Sequence, residues 1–276
     1  MSKVIITTFT DPMMGLSYEC EPIFRRLETH FEGKIEFRYV MSGLVRNVYD
    51  FVERNDLRYG KEYALKQYLK RLAGIYKSEE YIGGLPIHME NFRLFDTEHT
   101  SSVPLCLAYK AAQLTDISKA DLFLYHLRYT TIAETRPTTH FDEILRVVRM
   151  TGLDVDCFTK HFNSDARSAL QKDFDFFESL GVYSLPDYLI EYEDKHLLVN
   201  RLIGYDDFVQ IIDRISDGNI KPHMAKVSIE DFIRKHPLIS INELKAAFDI
   251  TDAVSVVKKL ENIRMDKEFV RYEKNI

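Results

Sequence analysis

Three cysteines, nine histidines and a serine near a predicted helix start are the side chains of this 276-residue chain that could do covalent or metal chemistry. Cys20, Cys106 and Cys157 lie too far apart in the sequence for a Cys-x-x-Cys pair, a disulfide framework or a zinc ribbon. The histidines show neither His-x-x-x-His spacing nor a neighbouring carboxylate cluster, so we expect no metal site. We therefore predict that the chain cannot run dithiol–disulfide chemistry by itself.

The serine, Ser17, follows a junction between a predicted strand and a predicted helix. The apolar run 4–9 is typical of a central strand, and Asp11 and Pro12 are typical of a helix start. Backbone amides at such a start can bind an anion, and Ser17 could take part in such a site. It could equally be a first-turn residue that satisfies a backbone amide, which is the more common role for serine there.

The rest of the chain predicts the elements that position this junction. Residues 35–40 alternate like a second strand, which a right-handed crossover places parallel to the first. A large insertion, at about 59–180, is almost entirely helical by its periodicity. Its predicted helices cover residues 61–76, 103–114, 118–134, 141–150 and 166–180. A hairpin of strands at 186–192 and 196–199 and a helix over 205–215 complete an α/β domain, residues 1–216.

A composition break indicates a linker at residues 217–224, followed by a small domain at 225–276. Three short helices, at 229–235, 241–247 and 253–262, and a strand at 269–272 predict a winged-helix-like unit. Its second and third helices could form a helix-turn-helix, so a DNA-binding regulator is one alternative function. The third helix starts at an acidic residue and reaches Lys258 and Lys259 only later, which argues against nucleic acid.

The junction resembles the DsbA-like branch of the thioredoxin superfamily. In that family a Cys-x-x-Cys motif opens the first helix and a proline follows five residues later; here Met14 and Ser17 take the cysteine positions and Pro22 the proline position. Residues 100–112 and 151–158 are similar to the family's inserted helix and a later turn. The segment 181–190 matches Gly-Val-x-x-x-Pro-x-x-x-Ile, and the resemblance implies a cis peptide at its proline.

The resemblance implies an α/β, thioredoxin-like fold with a large helical insertion, but the redox chemistry does not follow. Methionine has no ionisable proton, and the dipole of one helix end cannot lower the pKa of a serine hydroxyl to near neutral pH. Cys20, two turns into the helix, is predicted to be buried and inert, and the other two cysteines to be packing residues. We expect an exposed Met14–Leu16 pair to form a partner-binding patch.

Three functions remain open. The two-domain layout is similar to YjbH-type adaptors, which implies a protein partner held between residues 14–18 and the Leu185–Pro186 turn. The predicted site residues are Met14, Gly15, Leu16, Ser17, Tyr18, Leu185 and Pro186. The alternatives are a kappa-class glutathione transferase or isomerase, whose serine would fall at Met14, and the DNA-binding regulator. We expect no cofactor beyond, in the second case, glutathione or another small thiol.

Charge and composition limit the binding partners and the cellular compartment that such a function could have. The net charge of −6 argues against a general nucleic-acid binder or a basic membrane-surface protein. The chain shows no secretion signal and no apolar run long enough for a membrane helix. Together with the widely spaced cysteines, this predicts a cytoplasmic protein.

Overall fold

The computed structural model describes residues 2–273. Its first sheet has the strand order β2-β1-β3-β4, with β1 parallel to β2 and antiparallel to β3. The strands are β1 (Val4–Thr10), β2 (Ile35–Met41), β3 (Asp187–Tyr192) and β4 (Lys195–Val199). Because β1 is central and covered on both faces, almost all of its residues are buried, as its apolar run predicts.

Helices cover both faces of this sheet, and none in the described part of the chain is long and apolar enough to cross a membrane. Two of them, α1 (Gly15–Glu19) and α2 (Glu21–His30), follow β1 and are separated at Cys20, two residues before Pro22. The inserted helices are α3 (Arg54–Leu57), α4 (Lys61–Glu79), α5 (Val103–Thr115), α6 (Ile117–Ile132), α7 (Phe141–Met150), α8 (Val155–Asn163) and α9 (Asp165–Ser179).

The insertion differs from the sequence prediction in two places. Residues 80–102 form a long connection without helix or strand, although the whole insertion was predicted to be almost entirely helical. Helix α8 was not predicted as a separate helix. It begins where the Asp154 side chain accepts a hydrogen bond from the Cys157 amide at 2.7 Å, which caps a segment too short to show clear periodicity.

The C-terminal part contains a second, antiparallel sheet of strand order β5-β7-β6. Its elements follow α10 (Tyr205–Ile215) and a stretch, 216–228, without helix or strand: α11 (Ile229–Lys235), β5 (Leu238–Ser240), α12 (Ile241–Phe248), α13 (Ala253–Val257), β6 (Ile263–Asp266) and β7 (Phe269–Tyr272). The predicted strand at 269–272 is present. The predicted helix 253–262 ends at Val257, because the chain turns there into β6.

The C-terminal elements are packed against the first sheet's helices through α12, which lies on α2. The Glu243 carboxylate is fully buried and accepts hydrogen bonds from Arg25 Nε at 3.1 Å and from the Tyr125 hydroxyl at 2.6 Å. Thr29 donates to the carbonyl of Ala247 at 2.6 Å. These contacts join α12 to α2 and α6, so the C-terminal unit is held in one orientation on the larger one.

Candidate functional site

The site predicted by the DsbA resemblance lies at one edge of the first sheet, where β1 ends. Pairing of Phe9 with Asp187 places the Leu185–Pro186 turn beside the end of β1, and pairing of Thr10 with Met41 places residues 42–46 on its other side. The Leu185–Pro186 peptide is cis, as the resemblance implied. Three loops, 11–14, 42–46 and 183–186, therefore converge on the start of α1.

Most of the predicted site residues are buried there. Met14 is 5% exposed and Ser17 is 2% exposed, and Gly15, Tyr18 and Pro186 are buried too. The prediction of an exposed Met14–Leu16 patch is therefore wrong for Met14, whereas Leu16 and Leu185 are partly exposed. The sequence could not show this burial, because the residues that cause it are more than sixty positions away.

Helix α4 causes the burial by lying across the first turn of α1. The Tyr76 hydroxyl donates a hydrogen bond to the carbonyl of Met13 at 2.5 Å. A Cβ on Gly15 would come 2.0 Å from Glu79 Oε2 and 2.7 Å from the Tyr76 ring, so only glycine fits under this helix. Sequence reasoning did not assign Tyr76 or Glu79 to the site. The sequence signal that could have indicated them is the helical spacing of Tyr68, Leu72 and Tyr76, which marks the buried face of α4.

Ser17 is held in a chain of hydrogen bonds that leaves its oxygen unactivated. Thr10 donates to Ser17 Oγ at 2.7 Å, and Ser17 donates to Met14 Sδ at 3.5 Å. Thr10 itself accepts from Arg128 Nη2 at 2.9 Å, and Arg128 pairs with Glu21 at 2.8 Å. No general base contacts the Ser17 hydroxyl in these bonds, and nucleophilic catalysis needs one. The arrangement supports the structural role for Ser17.

Asp11 joins the loops 11–14 and 42–46 to the start of α5. Its buried carboxylate accepts hydrogen bonds from the amides of Met13 and Leu44, from the Ser102 hydroxyl and, more weakly, from the Cys106 thiol. Burial raises the pKa of this carboxyl group despite those donors. Asp11 is thus a structural residue that fixes the loop geometry around the start of α1.

Two of the three cysteines, Cys20 and Cys106, are buried, as the sequence analysis expected. Cys20 is 2% exposed, and burial raises the pKa of its thiol to about 12. Cys106 is fully buried, and burial raises its thiol pKa well above the ordinary value. Cys157 is partly exposed on α8, and all three thiols are free. Because the thiolate is the reactive form, Cys20 and Cys106 are poor nucleophiles near neutral pH.

A buried carboxyl group, Glu19, and a half-buried one, Glu79, flank the covered helix start. Burial raises the pKa of Glu19 to about 8, although its Oε2 accepts hydrogen bonds from the amides of Gly83 and Leu85. Burial also raises the pKa of Glu79 to about 7. The second oxygen of Glu19, Oε1, and Oε2 of Glu79 lack hydrogen-bond partners. Glu19 ties the 80–102 connection to α1, and Glu79 on α4 places its unpartnered oxygen over Gly15.

Apolar side chains remain exposed on the loops around this cover. Tyr183, in the loop before the cis peptide, is 93% exposed, and Leu44, whose amide is bonded to Asp11, is 39% exposed. Phe176 on α9 is 38% exposed, and its ring packs against Phe9 with the centroids 5.8 Å apart. Exposed aromatic groups beside a rigid sheet edge are typical of a protein-binding surface.

The structure also brings together three side chains that the sequence analysis did not connect. Asp96, His99 and His140 offer ligand atoms that all lie within 4.8 Å of one another. The sequence-based expectation of no metal site rested on spacing, and the 40 residues between His99 and His140 hid this arrangement. These three side chains are therefore a candidate metal site.

A cavity of about 520 Å³ lies between α2, α6 and the C-terminal unit. Its lining carries both charges, with Glu21, Arg25, Asp121, Arg128 and Lys235 among the lining residues. Residues 14–17 do not line it. The cavity is therefore separate from the site at the start of α1, and its mixed charges do not indicate one class of ligand.

In sequence, the chain is similar to an adapter protein over most of its length. The chain is 26% identical over 262 residues to the ClpXP adapter protein SpxH of Halalkalibacterium halodurans. That alignment covers 92% of this chain and 82% of the adapter. The similarity therefore includes the C-terminal unit as well as the first sheet and its helices.

Solved structures share the fold. A protein from Nitrosomonas europaea that is assigned as a protein disulfide isomerase superposes with a TM-score of 0.63 at 15% identity, over 79% of this chain and 99% of that one. A probable DsbA oxidoreductase from Streptomyces coelicolor gives 0.57 at 13% identity, over 82% of this chain and 94% of that one. The prediction of a thioredoxin-like fold with a helical insertion is confirmed. A thioredoxin family model matches residues 7–210, and the chain belongs to that family, with a DsbA-like helical insertion.

Proposed function

We propose that this protein is a thiol-independent adaptor, which binds a protein client and delivers it to a ClpXP-type protease. The observation that carries the proposal is the state of the redox position: Met14 and Ser17 replace the cysteines, and α4 covers them. Similarity to the ClpXP adapter SpxH along nearly the whole chain supports the same function. Without reactive thiols, the rigid surface around the covered position can still bind a protein, and an adaptor needs only such binding.

The client-binding surface in this proposal is the exposed rim around the covered helix start. The predicted groove at residues 14–18 is buried, so the contact moves to the neighbouring side chains that are accessible. Tyr183 is the strongest candidate, because a tyrosine that is 93% exposed contributes little to folding and can contribute much to an interface. Leu44 and Leu185 extend the same edge.

The location in this proposal is the cytoplasm. Three free thiols, two of them buried, fit a reducing compartment. A client of such an adaptor is a protein of the same compartment. A small thiol ligand is not needed for this function, and covering of the helix start by Tyr76 and Glu79 argues against one.

The test combines binding with turnover. The tagged protein is used to capture proteins from the native host, and the half-life of each captured protein is measured in cells with and without the adaptor and with and without ClpX. The proposal predicts at least one captured protein whose half-life lengthens to the same extent on loss of either factor. Purified ClpXP should then degrade that protein faster when the adaptor is added.

Two matched variants locate the surface. Tyr183→Asp should reduce both capture and degradation of the client, whereas Ile117→Asp, at a side chain that is 70% exposed at the start of α6, should leave both unchanged. If no captured protein depends on ClpX for its turnover, the adaptor function is wrong. If the client is degraded normally with Tyr183→Asp, the function stands and the surface lies elsewhere.

A further inference from the structure

Asp96, His99 and His140 form a compact cluster outside the site described above. The Asp96 carboxylate lies 3.0 Å from His99 Nδ1 and 2.8 Å from His140 Nε2. The two imidazole rings are stacked, with centroids 3.7 Å apart and planes inclined by 23°. Their side chains are about one third exposed, so the cluster is open to solvent ions while its members face one another.

The local backbone holds these groups in place independently of their mutual contacts. Asp96 Oδ1 accepts hydrogen bonds from the amides of Glu98 and His99, both at 2.8 Å, and the Asp96 amide donates to the carbonyl of His99 at 3.3 Å. This closed turn fixes the aspartate and the first histidine relative to each other. The turn thus holds the Asp96 carboxylate and the backbone of His99 in place.

The second histidine is fixed by a different element. His140 is the N-cap residue of α7, but its side chain does not cap the helix. Instead it lies against Asp96, and the adjacent Thr139 hydroxyl donates to the carbonyl of Leu94 on the same connection. His140 thus contacts a histidine and a carboxylate and does not cap α7, which is consistent with a role as a metal ligand.

We propose that Asp96, His99 and His140 bind a divalent transition-metal ion of the zinc class. Two imidazole nitrogens and one carboxylate oxygen are a ligand set that zinc prefers, with a fourth position open to water. Bonds of about 2.0–2.1 Å in a tetrahedral site place ligand atoms roughly 3.3 Å apart. The two oxygen–nitrogen separations, 2.8 and 3.0 Å, need to widen by a few tenths of an ångström, and the stacked imidazoles need to turn so that both ring planes include the ion. Neutral imidazoles exchange their hydrogen bonds to Asp96 for bonds to the ion.

The ion would tie the 80–102 connection to the start of α7. The same connection bears on the covered helix start, because the amides of Gly83 and Leu85 bind Glu19 and the carbonyl of Pro86 accepts from Tyr18. It also contacts the C-terminal unit, where Asn242 donates to the carbonyl of Gly84 at 2.6 Å. Metal binding therefore stabilises a segment that contacts both the closed site and the C-terminal unit.

The test uses the full-length protein without a histidine tag. Titration with zinc chloride, followed by calorimetry, should give one ion per chain and raise the melting temperature. His99→Ala and His140→Ala should each abolish binding of that ion. His161→Ala is the matched control, since it removes an exposed histidine paired with an aspartate, Asp165, at 3.3 Å but no third ligand, and its titration should equal that of the wild type.

A second measurement does not depend on how the variants fold. Crystals of the wild-type protein grown with zinc should show an anomalous scattering peak at the zinc edge between the three side chains. Cobalt(II) in place of zinc should give visible absorption bands of a tetrahedral site. Failure of the wild type to bind zinc, an anomalous peak only elsewhere, or retention of the ion by His99→Ala and His140→Ala would each overturn the proposal.

Discussion

Removal of the Glu243 carboxylate should strongly destabilise the protein, because this group joins the C-terminal unit to the first one. In Glu243→Ala the Tyr125 hydroxyl and the Ser240 amide lose their acceptor, and Arg25 keeps only Glu21 and Glu28. An unsatisfied buried hydroxyl costs about 1–3 kcal/mol, and loss of the hydrogen bond from the Ser240 amide to Glu243, one half of the capping box of α12, costs about 1 kcal/mol. We expect the free energy of unfolding to fall by about 3 kcal/mol, which is less than a fully orphaned buried charge would cost.

The assay is thermal and urea unfolding of the full-length protein, followed by circular dichroism. A loss of about 3 kcal/mol corresponds to a melting temperature lower by roughly 6–12 °C for a chain of this size. The control is Glu230→Ala, because Glu230 belongs to the same unit but pairs with Arg234 on the exposed surface. That variant should lose no more than about 0.5 kcal/mol. Equal losses in the two variants, or a loss below about 1 kcal/mol for Glu243→Ala, would refute the role of the buried carboxylate.

Three further predictions concern the covered helix start. Burial raises the pKa of Glu19 to about 8 from an ordinary 4.5, so the folded state retains a proton that the unfolded chain releases, and stability falls as the pH rises from about 5 to 8. In urea unfolding across that range Glu19→Gln should lower the slope by up to about 1.4 kcal/mol per pH unit, while the contribution of Glu79 remains; an unchanged slope would contradict the buried proton. In a Cys157→Ser background, Met14→Cys should react with Ellman's reagent roughly 100-fold more slowly than Ile117→Cys, because the covered thiol reacts only after local opening. Comparable rates for the two variants would show that the site is open. Millimolar glutathione should leave the melting temperature unchanged, whereas a saturable increase would favour the kappa-type function.

The fold could be predicted from the sequence because its signals are local or follow the family order. The apolar run of β1, the helix start after Asp11 and the proline before β3 each lie within a few residues of the feature they mark. Their order along the chain was enough to assign the thioredoxin-like sheet and the cis peptide. The substitutions at Met14 and Ser17 likewise excluded thiol chemistry at that site without any structure.

The state of the site could not be predicted, because it depends on contacts between distant segments. Burial of Met14 comes from Tyr76 and Glu79 on α4, and no pattern in residues 11–22 indicates that a later helix will lie there. The cluster of His99 and His140 arises because a long connection returns to the start of α7. Such juxtapositions are set by tertiary packing, which periodicity and spacing do not contain.

The most direct test of the central claim is whether the protein works without any thiol. Cells that lack the protein are complemented with the wild type or with a variant in which Cys20, Cys106 and Cys157 are replaced by alanine, at matched protein levels, and the half-life of the client is measured. A thiol-independent adaptor predicts equal client half-lives in the two strains. A client that is stabilised in the cysteine-free strain, although the variant is folded and equally abundant, would contradict the account.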